Sequence, residues 1–117
     1  MAKETTTSPA AVYNLLAAGT TINGNVQSDC DLRLDGKIVG DLTCTGKVIL
    51  GPAAVITGQV DCINAEISGI INGDVIAPEQ LILRSQATIS GNIYTSTLIV
   101  EAGSAFNGLC RMVQPEE

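Results

Sequence analysis

A five-residue unit of the form apolar–x–Gly–x–apolar recurs along almost the whole chain. Its glycines are 16, 18, 15, 18 and 17 residues apart, a mean of about 17. A repeat of this length indicates a solenoid, in which short units stack and each unit contacts only its neighbours. The six copies are Ile22–Val26, Ile38–Leu42, Ile56–Val60, Ile71–Val75, Ile89–Ile93 and Phe106–Cys110.

Within each unit the apolar residues alternate with polar ones, and this period of two is typical of β-strands. A short apolar–x–apolar strand, such as Leu81–Leu83, precedes the glycine units. Seventeen residues accommodate about three strands of four to five residues with tight corners between them. We therefore predict an all-β fold, a parallel β-helix of six coils with three short strands per coil. It spans residues 14–112, between tails at residues 1–13 and 113–117.

The charge balance excludes several classes of function. The chain has 12 acidic and 6 basic residues and three aromatic residues. Binding of nucleic acid through phosphate neutralisation or base stacking is therefore not expected. The chain contains no Gly-x4-Gly-Lys-Ser/Thr motif, so neither a nucleotide nor another cofactor is predicted. The first residues, MAKETTTSPAA, lack the apolar stretch of a signal peptide, and no stretch approaches the length of a membrane-spanning helix, so a cytoplasmic location is expected.

The four cysteines form no C-x-x-C pair, and the chain has no histidine. Structural zinc sites usually need such closely spaced ligands. Cys44, Cys62 and Cys110 fall in the inward series of the alternation, whereas Cys30 falls outside it, at a corner. We predict unreactive thiols in a reducing compartment, without a bound metal.

Both ends of a six-coil stack are predicted to be open. Only seven residues follow Cys110, too few for a capping helix, and terminal coils without a polar cap expose backbone groups and apolar side chains. At the start, Ala10–Ala18 has two interpretations. Pro9 and Gly19 suit a short helical cap, but residues 14–24 match the last coil, which favours a strand.

Open ends invite contact with a second copy of the chain. Head-to-tail contacts, or alternating head-to-head and tail-to-tail contacts, would both generate open filaments. At the C-terminal end the alternative is that the tail shields Phe106. The predicted polymer interfaces are Phe106, Leu109 and Cys110 at the C-terminal end and Leu15, Leu16 and Ile22 at the N-terminal end.

The middle residues of the apolar–x–apolar strands are predicted to point outward, and four of the six are large and apolar. Isolated surface aliphatic residues carry no meaning, but an aligned column of them suits lateral contact with a filament or a partner. The residues of this possible lateral contact are Ile49, Ile82 and Ile99.

The chain resembles the bactofilin family over residues 14–112. The resemblance rests on Gly19–Val26 (GTTINGNV), on Leu34–Leu42 (LDGKIVGDL) and on the later Ile-x-Gly-x-Val units. It implies a right-handed β-helix that polymerises end to end without nucleotide, as a bacterial cytoskeletal scaffold. It also implies a position at the inner face of the cytoplasmic membrane and a link to cell shape or wall synthesis. Cell-wall enzymes or other membrane proteins are the implied partners, beside the chain itself.

In this family the N-terminal segment is held responsible for membrane attachment. The corresponding segment here, residues 1–13, has as its apolar side chains Met1, Val12 and Tyr13, and it lacks a basic or amphipathic pattern. A single copy is expected to bind lipid weakly, and a polymer more tightly through multivalency. The alternative is an ordinary solvated tail.

Two other classes of function remain in competition. β-Helical enzymes of the hexapeptide-repeat type depend on histidine, which this chain lacks, and Asp41, Asp61 and Asp74 are typical of a solvated face rather than an acid/base pair. The second alternative is a monomeric binding scaffold that docks one partner through the outward apolar column.

Overall fold

The computed structural model describes residues 13–112, which form eighteen short strands in six coils of three. Coils 1 to 3 contain β1 (Tyr13–Leu16), β2 (Thr21–Asn23), β3 (Val26–Ser28), β4 (Asp31–Leu34), β5 (Lys37–Val39), β6 (Leu42–Cys44), β7 (Lys47–Leu50), β8 (Val55–Thr57) and β9 (Val60–Asp61). Coils 4 to 6 contain β10 (Asn64–Ile67), β11 (Ile70–Asn72), β12 (Val75–Ala77), β13 (Gln80–Leu83), β14 (Thr88–Ser90), β15 (Ile93–Thr95), β16 (Leu98–Val100), β17 (Ala105–Asn107) and β18 (Cys110–Met112).

The strands assemble into three parallel six-stranded sheets, so the predicted β-solenoid is confirmed. Sheet A has the order β1-β4-β7-β10-β13-β16, sheet B the order β2-β5-β8-β11-β14-β17, and sheet C the order β3-β6-β9-β12-β15-β18. Every strand pairs with the equivalent strand of the next coil. Tyr13 pairs with Asp31 and Leu16 with Leu34, so the start of the stack is a strand, as residues 14–24 predict.

Aliphatic ladders fill the space between the three sheets. The residue two positions before the glycine is fully buried in coils 2 to 5, at Ile38, Ile56, Ile71 and Ile89. Fully burying one such side chain contributes about 1.5 to 3 kcal/mol of transfer free energy. Because the side-chain period is two, a slip of one residue would turn each ladder toward solvent, and the ladders therefore hold the register.

The repeated glycine is required by the distance between coils. Gly73 has a φ of 153°, a region that residues with a side chain rarely adopt. A β-carbon at this position would lie against the carbonyl oxygen of Gly58 in the preceding coil. The glycines thus form a column along which the backbones of successive coils approach closely.

A second column, directly after the glycines, joins the coils through side chains. The Oδ1 atom of Asp41 accepts a hydrogen bond from the backbone N–H of Gln59 at 3.0 Å. Asp74 does the same for Asn92, at 2.9 Å. Asp41 and Asp74 therefore tie neighbouring coils together, a role that their interpretation as a solvated face did not include.

We expect Gly73→Ala to destabilise the fold more than Gly24→Ala does. Gly24 belongs to the same column and has a φ of 133°, but a β-carbon there meets nothing within 4 Å. Backbone strain alone costs about 1 to 3 kcal/mol, and the clash at Gly73 adds about 2 kcal/mol or more. Urea unfolding followed by circular dichroism measures both. Equal losses in the two variants would show that strain alone requires the glycine.

Candidate functional site

The C-terminal end of the stack exposes an uncovered apolar core. The strands of coil 6 pair with coil 5 on one side only. Val100 and Met112 are 57% and 54% exposed, although both lie in inward series whose members in coils 2 to 5 are buried. Phe106 pairs with the buried Ile89 and is itself only half-buried. This end of the described chain therefore presents an apolar surface to its surroundings.

The hydrogen-bond ladder between coils also stops at this end. The backbone N–H of Gly91 donates to the carbonyl of Asn107 at 2.9 Å, and that of Ile93 donates to the carbonyl of Leu109 at 2.8 Å. The equivalent N–H groups of coil 6 belong to Gly108 and Cys110, and no seventh coil lies below them within the described residues. The exposed edge thus combines apolar side chains with backbone donors.

The predicted residues of the C-terminal end occupy two kinds of position. Phe106 and Cys110 lie in the inward series, and Cys110 is exposed because nothing covers coil 6 in the described chain. Leu109 follows the glycine and is 75% exposed. The equivalent position in coil 5 is occupied by Asn92. The Oδ1 atom of Asn92 accepts a hydrogen bond from the backbone N–H of Leu109 at 3.2 Å. Coil 6 therefore has a leucine where coil 5 has a side-chain acceptor.

The N-terminal end is more polar than the C-terminal end. Leu16 and Ile22 lie half-buried in the inward series, whereas Leu15 points to the outer face of sheet A and is 54% exposed. Asn14 and Ser28 occupy ladder positions that coil 2 fills with Leu32 and Cys44. The side-chain amide of Asn14 donates to the Ser28 hydroxyl oxygen at 3.0 Å. Sequence reasoning missed this pair. The available signal was the presence of two polar residues at repeat positions that coil 2 fills with apolar ones.

The first coil also lacks charge. Residues 13–28 contain no Asp, Glu, Lys or Arg. Covering this end therefore desolvates no carboxylate, ammonium or guanidinium group, which is the expensive part of burying a polar surface. The composition of coil 1 suits a surface that becomes buried in an assembly.

The predicted lateral column occupies neighbouring strands, but a charged residue, Glu66, lies between its isoleucines. Ile49 pairs with Glu66, Glu66 with Ile82, and Ile82 with Ile99, so the column runs along sheet A. Ile49 and Ile82 are half-buried and Ile99 is 42% exposed. No observation tests the lateral contact, which stays a prediction.

Glu66 is the centre of an ion network that crosses this column. Its carboxylate lies 3.5 Å from Lys47 Nζ and 3.0 Å from Arg84 Nε. Arg84 Nη1 reaches Glu101 Oε2 at 2.6 Å, so the network crosses coils 3 to 6. Burial opposes ionisation of Glu66, but the hydrogen bond and charge of Arg84, followed by Lys47, outweigh it and lower the pKa of this carboxyl.

The outer face of sheet B is a second surface that sequence reasoning missed. Each strand of this sheet has three residues, with the middle one inward and the two others outward. Val39 and Ile70 are each 40% exposed on this face. The sequence signal for this face was available in two positions of each repeat, the residue before the glycine and the residue three before it, because these are the outward residues of the sheet B strands.

The cysteines are free thiols within the described residues. Cys44 and Cys62 are buried, and burial, followed by the nearby Cys44 and Asp61, raises the pKa of the Cys62 thiol to about 12. Cys30 lies at a bend, half-buried. Residues 13–112 contain no group of three or more Cys, Asp and Glu side chains that is placed to hold a metal ion.

The predicted membrane contacts fall largely outside the described residues. Met1 and Val12 lie outside them, and of Tyr13 the structure describes the position in β1. The described part of the chain contains no helix with the length and hydropathy needed to cross a membrane.

Comparison with known proteins gives a consistent result. A family model described as Bactofilin, polymer-forming cytoskeletal, matches residues 14–111. The chain is 29% identical over 107 residues to the bactofilin BacP of Myxococcus xanthus (strain DK1622), covering 92% of this chain and 45% of BacP. It is 21% identical over 94 residues to BacO of the same organism, covering 80% of this chain and 75% of BacO. The chain thus spans about half the length of BacP.

Two solved structures share the fold. The solid-state NMR structure of the cytoskeletal bactofilin BacA superposes with a TM-score of 0.78 at 29% identity, over 89% of this chain and 99% of BacA. A crystal structure of a mutant bactofilin from Thermus thermophilus superposes with a TM-score of 0.73, over 77% of this chain and all of the other. Its identity of 23% shows the fold alone.

We expect Glu66→Gln to weaken the fold in a pH-dependent way. The folded-state pKa of Glu66 is lowered from 4.5, so its stabilisation is present above that pH and is lost as the pH falls through the folded value. The variant should lose about 0.5 to 1 kcal/mol at neutral pH, and the difference from the unsubstituted chain should disappear as the pH falls through the folded-state pKa. Urea unfolding over a series of pH values measures this. Glu79→Gln is the control, because its carboxylate accepts from the Asn64 amide. An equal loss in both variants would contradict the role of the ion pairs.

Proposed function

Because this chain belongs to the bactofilins, a family of polymer-forming cytoskeletal proteins, we propose that it assembles end to end into filaments without a nucleotide. The observation that carries this is the uncovered C-terminal end of the stack. Leu98, Val100, Phe106, Cys110 and Met112 take inward positions there, and all are apolar. In coils 2 to 5 the next coil covers the equivalent positions, so a second copy would complete the same contact.

The free energy for assembly comes from the surface itself. Contact between ends removes apolar side chains from water at about 25 cal/mol per Å² and satisfies the backbone groups of the edge strands. No step of this assembly needs hydrolysis of a nucleotide. Phe106, Leu109 and Cys110 are the proposed contact residues at the C-terminal end of the subunit, and Leu15, Leu16 and Ile22 are those at the N-terminal end.

We further propose that the filaments act as a scaffold at the inner face of the cytoplasmic membrane and serve cell shape or wall organisation. Residues 1–13 are the proposed lipid contact, through Met1, Val12 and Tyr13. A filament presents one such segment per subunit, and many weak contacts in parallel give tight binding. The role is structural, and we assign no catalytic residue. Wall enzymes or other membrane proteins are the proposed partners on the scaffold.

Phe106→Arg should leave the fold intact and abolish filaments. Phe106 is half-buried in the last coil, so an arginine reaches solvent in the monomer but becomes an unpaired buried charge in the contact. Electron microscopy without nucleotide measures filament formation, and circular dichroism measures the fold. Filaments should show an axial repeat of about 3 nm or twice that, from six coils of about 4.8 Å.

Phe106→Leu is the matched control and should keep its filaments, with or without added ATP or GTP. Long filaments of Phe106→Arg would show that the C-terminal end is not a junction. Small particles of the unsubstituted chain at every concentration would instead favour the monomeric binding scaffold.

Vesicle binding should require both the polymer and the N-terminal segment. We expect the unsubstituted chain to float with vesicles of anionic phospholipid, and Phe106→Arg to remain in the dense fraction because single segments bind weakly. Val12→Glu should form filaments that float less. Flotation avoids the sedimentation of the polymer itself. Equal flotation of monomer and polymer would contradict multivalent attachment, and equal flotation of Val12→Glu would place the contact elsewhere.

A further inference from the structure

The outer face of sheet B, which we call the sheet B face, is almost free of charge. The strands of this sheet place twelve residues outward in the described chain, and one of these, Lys37, is charged. The two outward columns are Thr21, Lys37, Val55, Ile70, Thr88 and Ala105, and Asn23, Val39, Thr57, Asn72, Ser90 and Asn107.

Sheet A differs sharply from this surface. Its strands place Asp31, Arg33, Lys47 and Glu66 outward, in addition to the ion network that continues through Arg84. Covering such charges with a second protein surface removes them from water, and this desolvation opposes binding. Charged residues are accordingly depleted at the centre of protein interfaces. On the sheet B face only Lys37 carries this desolvation penalty.

The centre of the sheet B face is apolar. Val55 and Ile70 are direct neighbours in the register of β8 and β11, and Val39 lies one coil earlier in the second column. Ile70 and Val39 are each 40% exposed. Thr57 and Asn72 lie beside them in the second column. An apolar centre with an uncharged, hydrogen-bonding surround is the usual anatomy of a protein interface.

The face is complementary to itself in one orientation. Consider a two-fold axis that runs along the strand direction and passes between coils 3 and 4. It places coil 3 opposite coil 4 of the second copy, and coil 2 opposite coil 5. Val55 then lies opposite the second copy's Ile70, and Lys37 opposite its Thr88. A two-fold axis parallel to the stack instead places the two copies of Lys37 at the same height, where like charges repel. The antiparallel arrangement is therefore the favoured one.

We propose that the sheet B face is a lateral contact between two copies of this chain, arranged antiparallel with Val55 against Ile70. The contact rests on the proposed filaments for its strength. Six strands about 4.8 Å apart, of three residues each, give a face of roughly 300 Å² per copy. Two such faces reach roughly half of the 1,200 Å² or so that a stable interface needs. Lateral pairs therefore form between filaments, where many such contacts act together.

The test compares the substitution of isoleucine by glutamate at three different surface positions. Ile70→Glu places a charge at the centre of the sheet B face. Ile63→Glu is the matched control, because Ile63 is 39% exposed and lies at the corner before β10. Ile82→Glu places the same charge on sheet A. Electron microscopy without nucleotide gives the fraction of filaments that are paired, and circular dichroism confirms the fold of each variant.

We expect paired filaments of the unsubstituted chain, of Ile63→Glu and of Ile82→Glu. Ile70→Glu should form single filaments with the same axial repeat, and the paired fraction should fall about tenfold or more, since the contact would bury unpaired carboxylates. Val39→Glu should repeat this result. Paired filaments of Ile70→Glu, loss of pairing in Ile82→Glu alone, or only single filaments of the unsubstituted chain would each overturn the proposal. None of these three outcomes affects end-to-end assembly, whereas absence of all filaments would overturn the proposed function as well.

The orientation has a separate test. Lys37→Cys and Thr88→Cys are made in two samples of a Cys30→Ser chain, in which Cys44 and Cys62 are buried and Cys110 lies in the proposed end-to-end contact. The Cys30→Ser chain without either new cysteine gives the background of crosslinking. The samples are mixed before assembly and treated with a short bismaleimide. Crosslinks between position 37 and position 88 are expected. Crosslinks between two copies of position 88, in chains that both keep Lys37, would overturn the antiparallel arrangement.

Discussion

Parallel pairing of each strand with its equivalent in the next coil is the interaction on which the rest of the structure depends. It fixes the distance between coils at about 4.8 Å, and that distance leaves no room for a β-carbon at the position of Gly73. It also brings identical positions of successive repeats into contact, so that Ile56 lies on Ile38 and Ile71 on Ile56. Core, glycine column and side-chain ladder all follow from one repeated contact.

The same contact explains why the two ends of the described stack expose the edges of strands. A strand that pairs on both sides is complete, but β16, β17 and β18 have a partner on one side only. The apolar residues that the next coil covers elsewhere remain open there. A stack built by pairing like with like has no intrinsic stopping point, and within the described residues no cap covers coil 6.

The sequence alone predicted the features that repeat. The glycine period predicted six coils, the alternation predicted the inward ladders, and the match of residues 14–24 to the last coil predicted the strand β1. What it missed depends on departures from the repeat. Asn14 and Ser28 form a polar pair at the N-terminal end, and Asp41 and Asp74 bond to the next coil instead of facing solvent freely.

Faces were harder to predict than ladders, for a physical reason. The outward column of Ile49, Ile82 and Ile99 is visible in the sequence, but the charges that cross it come from Lys47, Arg84 and Glu101, at other positions of their coils. Only the folded register brings Lys47 and Arg84 to Glu66, and Glu101 to Arg84. The sheet B face was missed because its distinguishing feature is a near absence of charged residues, and such an absence produces no sequence motif.

The side-chain ladder after the glycines has a mechanical consequence. A pull along the stack loads successive coil contacts in series, and the weakest of them yields first. Four of the five contacts between coils inside the molecule have a side-chain acceptor after the glycine, as where Asn92 accepts from the N–H of Leu109, and the chain itself joins each coil to the next. Leu109 itself offers no acceptor to whatever lies beyond it. A filament under tension would therefore separate at its junctions, and each break would release whole subunits whose coils remain wound and ready to join again.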